Sequence, residues 1–358
     1  MTIGGIQTYI TNLIPLLRDA GYSVTVYQCS DKDFHKDMGT FDVYGIAVTG
    51  GRPVLSRALQ AKILQLIDMK SDLLVYGCET FITHRLPCRS IAIQHGISWD
   101  VPFGQCSRLR YFRHYLGKCY LAWKTIQRVS KVDRLVCVDY NFVNWYRATA
   151  PYTLIQPRVI PNFSFLPPDM PTKEKTGSVN IIFARRMAAV RGPKVFADVA
   201  ARLLQRHPHV HITIAGTGLE ADYMHSVLDE YENVSFVSYN SEDSLKTHAP
   251  MDIAVVPTLA SEGTSLSLLE AMASGCAVVC TDVGGMTNIV MNKYNGMMTA
   301  AGDADELYTA IDYLIENPDE RRRIAATGYE TVRSCFSHER WAKAWKEVIE
   351  GIRDEQQP

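Results

Sequence analysis

The hydrophobic positions of the chain fall into short continuous runs that are separated by longer segments with a helical repeat. Uninterrupted apolar runs, without polar alternation, are typical of strands that are buried on both faces of a parallel sheet. Their alternation with helix-length segments predicts βαβ units and hence doubly wound parallel sheets, an α/β fold. The runs are YSVTVYQ, SDLLVYG, RSIAIQHG, DRLVCVD, SVNIIFA, HVHITIAG, NVSFVSY, MDIAVVP and CAVVCTD.

Four segments carry the apolar period of an α-helix. The first, 4–21, ends at Gly21; the second spans 193–208; the third, 303–328, opens with a predicted capping box from Asp303 to Glu306. The fourth, 341–355, closes the chain. The apolar stripes are predicted to be Ile6, Ile10, Leu13, Ile14 and Leu17 in the first helix, and Trp341, Trp345 and Val348 in the last.

Length and proline content predict two domains. The chain has 358 residues, and single cores stop growing at about 250 to 300 residues. A stretch rich in proline, PRVIPNFSFLPPDMPTKEKTGS, separates the two sets of predicted strands. We therefore expect an N-terminal domain at 1–168, a C-terminal domain at 169–335 and a closing helix at 336–358.

The first predicted helix lacks a strand before it. A doubly wound domain whose first helix opens at Gly4 and Gly5 needs a preceding strand, yet only the residues MTI stand there. We expect the N-terminal domain to lack its first strand and the neighbouring strands to have exposed edges. This expectation leaves open whether the N-terminal domain is complete and whether the protein is an active enzyme.

Composition excludes several classes of protein. The formal charge of −1 and the hydrophobic content of 47% are those of an ordinary globular chain, which argues against a nucleic-acid partner. The nine cysteines include no CxxC pair, so we expect reduced thiols in a cytoplasmic protein. No apolar run approaches the ~20 residues of a membrane span, and no signal-peptide pattern is present at the N-terminus.

Two glutamates frame a predicted strand end and helix start. In the segment SEGTSLSLLEAMASG, Glu262 is predicted in a loop and Glu270 about two turns into a helix. The intervening backbone amides, at a helix N-terminus beyond a strand, suit a diphosphate, with one acid for each end of a two-part ligand. Alternatively, Glu270 belongs only to an amphipathic helix. The amides in question are those of Gly263, Thr264, Ser265 and Leu266.

Three arginines follow another buried run. In FARRMAAVRGP, Arg185, Arg186 and Arg191 come after a predicted strand, and Gly192 precedes the next helix. Guanidinium groups at a strand end neutralise phosphate oxygens. Solvated surface arginines are the alternative from this segment alone.

The ordered motifs resemble the family-4 retaining glycosyltransferases of the GT-B fold over nearly the whole chain. The resemblance rests on the pair Gly4-Gly5, on QHG at 94–96, VIPN at 159–162 and AGTG at 215–218, on Arg186 with Arg191-Gly192, and on Glu262-x7-Glu270. It implies two Rossmann-like domains that face each other across a cleft. The nucleotide-sugar donor then binds mainly to the C-terminal domain and the acceptor mainly to the N-terminal domain.

The resemblance also implies a role for each motif residue. Arg186 and Arg191 would hold the diphosphate, Glu262 would contact the donor sugar near its reacting carbon, and Glu270 would contact the ribose hydroxyls. His95 would lie beside the donor sugar. Gly4 and Gly5 would let the backbone approach the phosphate, and Gly216 belongs to the AGTG motif. The family usually has Lys where this chain has Arg191 and often has Gly where it has Arg185, so the choice between Arg185 and Arg186 stays open.

Other motifs have simpler explanations. GTGLEA at 216–221 matches a dinucleotide fingerprint, but the position where an acid is needed falls around Ser238-Tyr239-Asn240, so we interpret the motif as a tight strand-to-helix turn. DKD at 31–33 and DAD at 303–305 mimic a metal-binding motif. We assign them to a loop and to helix capping, and we predict no metal and no cofactor.

The segment 107–134 has the strongest local charge. Its basic residues face a single acid, Asp133, and are interleaved with tyrosine, tryptophan and phenylalanine. Such segments favour anionic membrane surfaces, although a solvated helix packing its aromatic residues on the N-terminal domain has the same composition. The basic residues are Arg108, Arg110, Arg113, Lys118, Lys124, Arg128, Lys131 and Arg134.

These observations together predict a metal-independent, retaining hexosyltransferase that moves a sugar from a nucleotide donor, most simply a UDP- or GDP-sugar, to a surface polysaccharide or a lipid-linked glycan. We expect it in the cytoplasm, peripheral to the inner face of the plasma membrane. One alternative is another GT-B enzyme, such as a nucleotide-sugar epimerase. The other is a non-catalytic subunit that binds a nucleotide-sugar. We expect Glu262→Ala to abolish transfer and to leave the fold intact.

Overall fold

A computed structural model of the chain describes residues 5–101, 107–150, 155–173, 177–238 and 241–354. The contacts divide the chain into two compact units. Unit 1 comprises Met1–His95, Gln105–Ile160 and Ala342–Pro358, and unit 2 comprises Gly96–Gly104 and Pro161–Trp341. The domain boundaries expected at 168 and 335 remain predictions.

Unit 1 contains two separate sheets among its described residues. One has the strand order β1-β3-β2, with β2 antiparallel to β3, and the other is parallel with the order β4-β5-β6-β7. Among the described residues, β1 and β4 are edge strands. The absence of a first strand stays a prediction. The strands are β1 (Thr25–Ser30), β2 (Phe34–Asp37), β3 (Asp42–Ala47), β4 (Leu73–Tyr76), β5 (Arg89–Gln94), β6 (Arg134–Cys137) and β7 (Pro157–Val159). The helices are α1 (Gly5–Asp19), α2 (Arg52–Ile63), α3 (Arg108–Val129) and α4 (Tyr140–Thr149).

Helix α1 buries a slightly different face from the predicted one. Ile6 is 39% exposed, whereas Tyr9, which the predicted stripe omits, is buried. The Tyr9 ring packs edge-on against His95 and Trp345, and its hydroxyl accepts a hydrogen bond from the Trp345 indole at 2.8 Å. These aromatic contacts hold Tyr9 in the interior. The prediction that Ile6 belongs to the buried stripe was wrong, because its side chain is exposed.

Unit 2 is built on one continuous parallel sheet with the order β10-β9-β8-β11-β12-β13. Apolar clusters cover both of its faces. The strands are β8 (Val179–Ala184), β9 (Val210–Ala215), β10 (Val234–Val237), β11 (Ile253–Val256), β12 (Ala277–Thr281) and β13 (Met297–Thr299). The helices are α5 (Pro193–Arg206), α6 (Ala221–Leu228), α7 (Ser244–His248), α8 (Leu266–Ala273), α9 (Ala304–Glu316) and α10 (Pro318–Cys335).

The C-terminal helices correct two predictions. The segment 303–328 forms two helices, α9 and α10, because Pro318 lacks an amide proton and begins a new helix instead of continuing the old one. Asp303 caps α9 by accepting the amides of Asp305 and Glu306. Glu306, however, accepts the amide of Ala300 and completes no reciprocal box with Asp303. The final helix, α11 (His338–Asp354), buries Trp341, Trp345 and Val348 as predicted.

Candidate active site at the carboxyl edge of the unit 2 sheet

The central pair of strands in unit 2 brings the candidate residues together. Strands β8 and β11 are parallel neighbours, so the segments that follow them leave the same edge of the sheet. Arg185 directly follows β8, and Thr258 and Glu262 lie in the loop after β11. Arg191 stands one residue before Gly192, which precedes α5.

Two guanidinium groups bind one carboxylate oxygen of Glu262. Oε2 of Glu262 accepts a hydrogen bond from Arg185 at 2.9 Å, a second from Arg191, and a third from the Thr258 hydroxyl at 3.2 Å. Arg185 also donates to Thr258. The side chains of Arg185, Glu262 and Arg191 are 6%, 10% and 24% exposed. Burial lowers the pKa of Arg191, and the charge of Glu262 opposes that effect. Two cations and one anion leave this cluster with an excess of positive charge.

The two oxygens of the Glu262 carboxylate differ in their contacts. All three hydrogen bonds end on Oε2. Among the described parts of the chain, no hydrogen bond reaches Oε1. The arrangement fixes the carboxylate through one oxygen and leaves the other for a further donor, such as a hydroxyl group.

The two adjacent arginines differ in burial and in contacts. Arg185 is the buried one and contacts Glu262, whereas Arg186 is exposed. Arg186 acts on Arg191 as a like charge that lowers its pKa. The sequence analysis selected Arg186 because Arg186 matches the family motif. It did not predict the contact of Arg185 with Glu262, because the local sequence pattern does not indicate which arginine is buried.

Three glycines enclose the loop at Glu262 and Gly263. The amide of Gly285 donates to the carbonyl of Glu262 at 2.9 Å. A Cβ atom at Gly96 or Gly285 would lie 2.9 Å or 2.5 Å from the backbone of Gly263, and one at Gly284 would collide with the Glu262 carbonyl. The loop position is therefore set by backbone packing that tolerates no side chain at 96, 284 or 285.

The helix after this loop begins later than predicted. Helix α8 starts at Leu266, so Glu270 lies just over one turn inside it instead of two. Thr264 and Ser265 are buried, and the Asn162 amide donates to the Thr264 carbonyl at 2.5 Å. Gly263, Thr264, Ser265 and Leu266 thus form the entry of α8. Their contact with a diphosphate stays a prediction.

Glu270 has a partner that the sequence analysis missed. The buried hydroxyl of Ser244, the first residue of α7, donates to Oε2 of Glu270 at 2.6 Å. Burial raises the pKa of the Glu270 carboxyl, and this hydrogen bond lowers it in part. No sequence motif links Ser244 to Glu270, since the two residues meet only through the packing of α7 on α8.

Gly216 lies against the backbone of Arg185. It follows β9, and a Cβ atom there would collide with the Arg185 carbonyl. The Arg185 amide in turn donates to the Ala215 carbonyl at 2.9 Å. GTGLEA thus forms a strand-to-helix turn between β9 and α6 that lies against the backbone of the arginine segment.

The remaining predicted residues lie in unit 1. His95 follows β5, and its Nε2 lies 2.9 Å from the Gly77 carbonyl, so Nε2 carries the proton. Burial lowers the pKa of His95 to about 4, which leaves the ring neutral and Nδ1 an acceptor at pH 7. Gly5 is the exposed first residue of α1, and Gly4 lies outside the described residues.

The described residues offer neither a metal-binding cluster nor a membrane-spanning helix. They contain no group of three or more histidine, cysteine, aspartate or glutamate side chains able to hold a metal ion. In the same part of the chain, no helix combines the length and the apolarity that crossing a membrane requires.

Comparisons with solved structures identify the fold. Sucrose-phosphate synthase from Thermosynechococcus elongatus superimposes with a TM-score of 0.75 at 16% identity, over 98% of this chain and 94% of that chain. Anabaena HepE in complex with UDP-glucose gives 0.71 at 15% identity, over 99% and 97%. The fold is that of GT-B glycosyltransferases, with Rossmann-like domains, as the sequence predicted.

Comparisons of sequence relate part of the chain to known glycosyltransferases. Residues 170–331 match the model described as Glycosyl transferases group 1. Glycogen synthase of Mycobacterium tuberculosis is 28% identical over 193 residues, 52% of this chain and 46% of that protein. D-inositol 3-phosphate glycosyltransferase of Geodermatophilus obscurus is 28% identical over 236 residues, 60% of this chain and 51% of that protein. The chain spans about half the length of the curated relatives it matches.

Proposed function

We propose that the protein is a retaining glycosyltransferase. It moves a hexose from a nucleotide-sugar, most simply a UDP- or GDP-sugar, to a surface-polysaccharide or lipid-linked glycan acceptor. The observation that carries this proposal is the buried cluster of Glu262, Arg185 and Arg191 at the carboxyl edge of the unit 2 sheet. The family match of residues 170–331 and the UDP-glucose bound by Anabaena HepE support it.

The cluster suits a diphosphate because it has more positive than negative charge. Arg191 is the more exposed of the two guanidinium groups that bind Glu262. We infer that a donor diphosphate takes Arg191, with Arg186 beside it, while Arg185 keeps Glu262 in place. The amides of 263–266 at the start of α8 would add donors on the same edge.

Each acid then has one part of the donor to bind. The free Oε1 of Glu262 would accept a hydroxyl of the donor sugar near its reacting carbon. Glu270, fixed by Ser244, would accept the ribose hydroxyls. Burial raises the pKa of Glu270 and so disfavours its ionised form. Hydrogen bonds from the two ribose hydroxyls would stabilise that ionised form.

The chemistry needs little from the protein beyond charge. The bond between the anomeric carbon and the phosphate oxygen breaks, and its electron pair goes to the leaving diphosphate. An acceptor hydroxyl attacks the same face of the sugar and passes its proton to that phosphate oxygen. Guanidinium groups and amides stabilise the charge that develops there, without a metal or another cofactor. Neutral His95 would contribute hydrogen bonding beside the donor sugar and no charge.

We further propose a cytoplasmic site of action at the inner face of the plasma membrane, where a lipid-linked precursor of a polysaccharide or a lipopolysaccharide is accessible. Segment 107–134 would meet the anionic lipids of that surface.

The donor is tested by thermal shift with UDP-, GDP-, ADP- and CMP-sugars. The sugar nucleotide with one of these bases should raise the melting temperature, since a ligand at 100 times its Kd increases the free energy of unfolding by about 2.7 kcal/mol. Arg191→Ala should abolish that shift. The control is Arg202→Ala, which removes an exposed arginine on α5 that pairs with Asp305. A panel without any shift, or an unchanged shift in Arg191→Ala, contradicts the donor site.

Turnover separates the alternatives. With the selected donor and glycan extracts, Glu262→Gln should reduce transfer by about a hundredfold to a thousandfold, a loss of the size seen when one transition-state contact is removed. Release of a free epimer without an acceptor would identify an epimerase. Donor binding with no turnover in any extract would identify a non-catalytic subunit.

A further inference from the structure

Helix α3 is exposed over most of its length. It has 22 residues, and only Thr125, Ile126 and Val129, all near its C-terminal end, are buried. Every residue from 107 to 117 is exposed. The N-terminal half of α3 therefore packs no complete face onto the rest of unit 1, although its sequence is rich in apolar residues.

Four of the large exposed residues of α3 lie on one stripe, whereas others, including Leu121, are exposed on other faces of the helix. Leu109, Phe112, Leu116 and Trp123 follow one another at spacings of i, i+3, i+7 and i+14, which places them on a single face of the helix. Their exposed fractions are 71%, 56%, 50% and 57%. Large side chains with this exposure are unusual on a helix that is surrounded by water, because their burial would stabilise it.

A second stripe is cationic. Arg110, Arg113, Lys124 and Arg128 cluster on the helix surface roughly 100° from the apolar stripe, given 3.6 residues per turn. Arg108 and Lys118 bring the total to six cations, and the helix contains no acid. Lys124 also lies over the Tyr120 ring, 5.5 Å from its centroid, and that ring is 6.2 Å from the ring of Trp123.

The two stripes together select one occupant. An apolar stripe beside a cationic one matches the boundary between acyl chains and anionic headgroups, where tryptophan and tyrosine are also favoured. A second copy of the chain would bring six cations against six and is therefore disfavoured by repulsion. A neutral apolar partner would leave the cationic stripe without a counterpart.

We propose that α3 lies in the plane of an anionic phospholipid bilayer, with Leu109, Phe112, Leu116 and Trp123 inserted between the headgroups and with Arg110, Arg113, Lys124 and Arg128 on lipid phosphates. This deepens the membrane contact of the proposed function and rests on that function for the choice of a bilayer. Such a position would hold the enzyme where lipid-linked acceptors are presented.

Vesicle binding tests the proposal without any sugar donor, so its failure is separate from a failure of the glycosyltransferase assignment. The full chain is sedimented with vesicles of phosphatidylcholine alone or with one third phosphatidylglycerol at 0.1 M salt. We expect retention only on the anionic vesicles. Arg110→Gln with Arg113→Gln should weaken it about 25-fold, since each cation near the surface contributes about fivefold. Lys343→Gln with Lys346→Gln, on exposed positions of α11, is the control for charge and should change it less than twofold.

The apolar stripe is tested separately. Phe112→Ser with Trp123→Ser should abolish retention, whereas Met291→Ser with Tyr294→Ser, at exposed apolar positions of unit 2, should not. Vesicles should also shift the tryptophan emission of the wild type to shorter wavelength, and Trp123→Phe should remove that shift. Circular dichroism of each variant establishes that it is folded.

Four outcomes overturn the proposal. They are no retention on anionic vesicles, equal retention on neutral ones, retention that survives both α3 variants, and an emission shift that persists in Trp123→Phe. Concentration-dependent association of the wild type that the α3 variants abolish, in the absence of vesicle binding, would assign the helix to a second copy instead.

Discussion

The two units place similar apolar strands in very different surroundings. In unit 2, β8 lies between β9 and β11, and every residue of β11 and β12 is buried. Among the described residues of unit 1, β1 pairs with β3 on one side only, and none of the residues of β1 is fully buried. A strand is thus buried by its neighbours and not by its own composition. The candidate active site lies on the unit in which those neighbours are present.

The largest contrast should come from one substitution made in the ion pairs of each unit. Glu262→Ala should destabilise unit 2 by about 4 kcal/mol, because it leaves two buried or half-buried guanidinium groups without a counter-charge. Glu347→Ala should cost unit 1 less than about 1 kcal/mol, because Glu347 and Arg158 are both about half exposed. Urea unfolding followed by hydrogen exchange of peptides from each unit measures both. Equal losses would remove the contrast. The same experiment tests the expectation that Glu262→Ala leaves the fold intact.

A pH effect of comparable size is expected in unit 1. Burial raises the pKa of Asp139 from 3.8 to about 6 and lowers that of His95 from 6.5 to about 4. As pH rises from 4 to 6, the folded state keeps a proton on Asp139 that the unfolded state loses, so stability falls. Over nearly the same range, the unfolded state loses the extra proton on His95, so stability rises. The two effects oppose each other in the wild type.

Asp139→Asn isolates the histidine effect. Asn keeps the cap of α4, in which Asp139 accepts the amide of Phe142 at 2.8 Å. The stability of unit 1 in the variant should therefore rise between pH 4 and 6.5, by about 3 kcal/mol more than in the wild type. Urea unfolding at intervals of half a pH unit measures it. Parallel pH profiles of the two proteins would contradict the role of Asp139.

Equal valine truncations test strand burial directly. Val255→Ala in β11 should cost about 2.5 kcal/mol, because the residue is 1% exposed and a cavity remains. Val26→Ala in β1, which is half-buried, should cost less than about 1 kcal/mol. The same unfolding measurement, resolved by unit, compares them. A cost at Val26 as large as that at Val255 would mean that β1 is covered in solution.

The smallest effect concerns a glycine in a helix of each unit. A Cβ atom added at Gly117 in α3 would meet no other atom within 4 Å, so Gly117→Ala should stabilise unit 1 by about 0.7 kcal/mol through helix propensity. At Gly328 in α10, a Cβ atom would lie 3.2 Å from the Asn295 carbonyl, so Gly328→Ala should give no gain. Thermal unfolding measures both, and a stabilised Gly328→Ala would show that α10 can shift.

The nine apolar runs each became a strand, because a run of apolar residues is a direct signal in the sequence, although no residue of β1 or β10 is fully buried. Four strands were missed. β2 has the polar sequence FHKD, β3 is interrupted by Gly45, β7 begins with a proline, and β13 has only three residues. None of these strands contains an apolar run that is long enough to be recognised as a strand from the sequence. Their positions follow from pairing with neighbouring strands: β2 pairs with β3, β7 with β6 and β13 with β12.

The site was predictable to the extent that it rests on local motifs. Glu262 lies in its predicted loop, and Arg191 is beside it. The contacts of Arg185 with Glu262 and of Ser244 with Glu270 join residues 77 and 26 positions apart, and no repeat or spacing rule encodes them. Sequence motifs therefore identified which residues carry charge at the site, and only tertiary packing decides which of them are paired.

The glycine enclosure of the loop at Glu262 has a consequence for engineering. The backbone of 262 and 263 touches positions 96, 284 and 285, which belong to two distant segments of the chain. A randomised library at these positions should return glycine at all three, whatever donor is selected for. New donor specificity would therefore have to be sought in side chains around the enclosure, because the path of the acidic loop itself offers no variable position there.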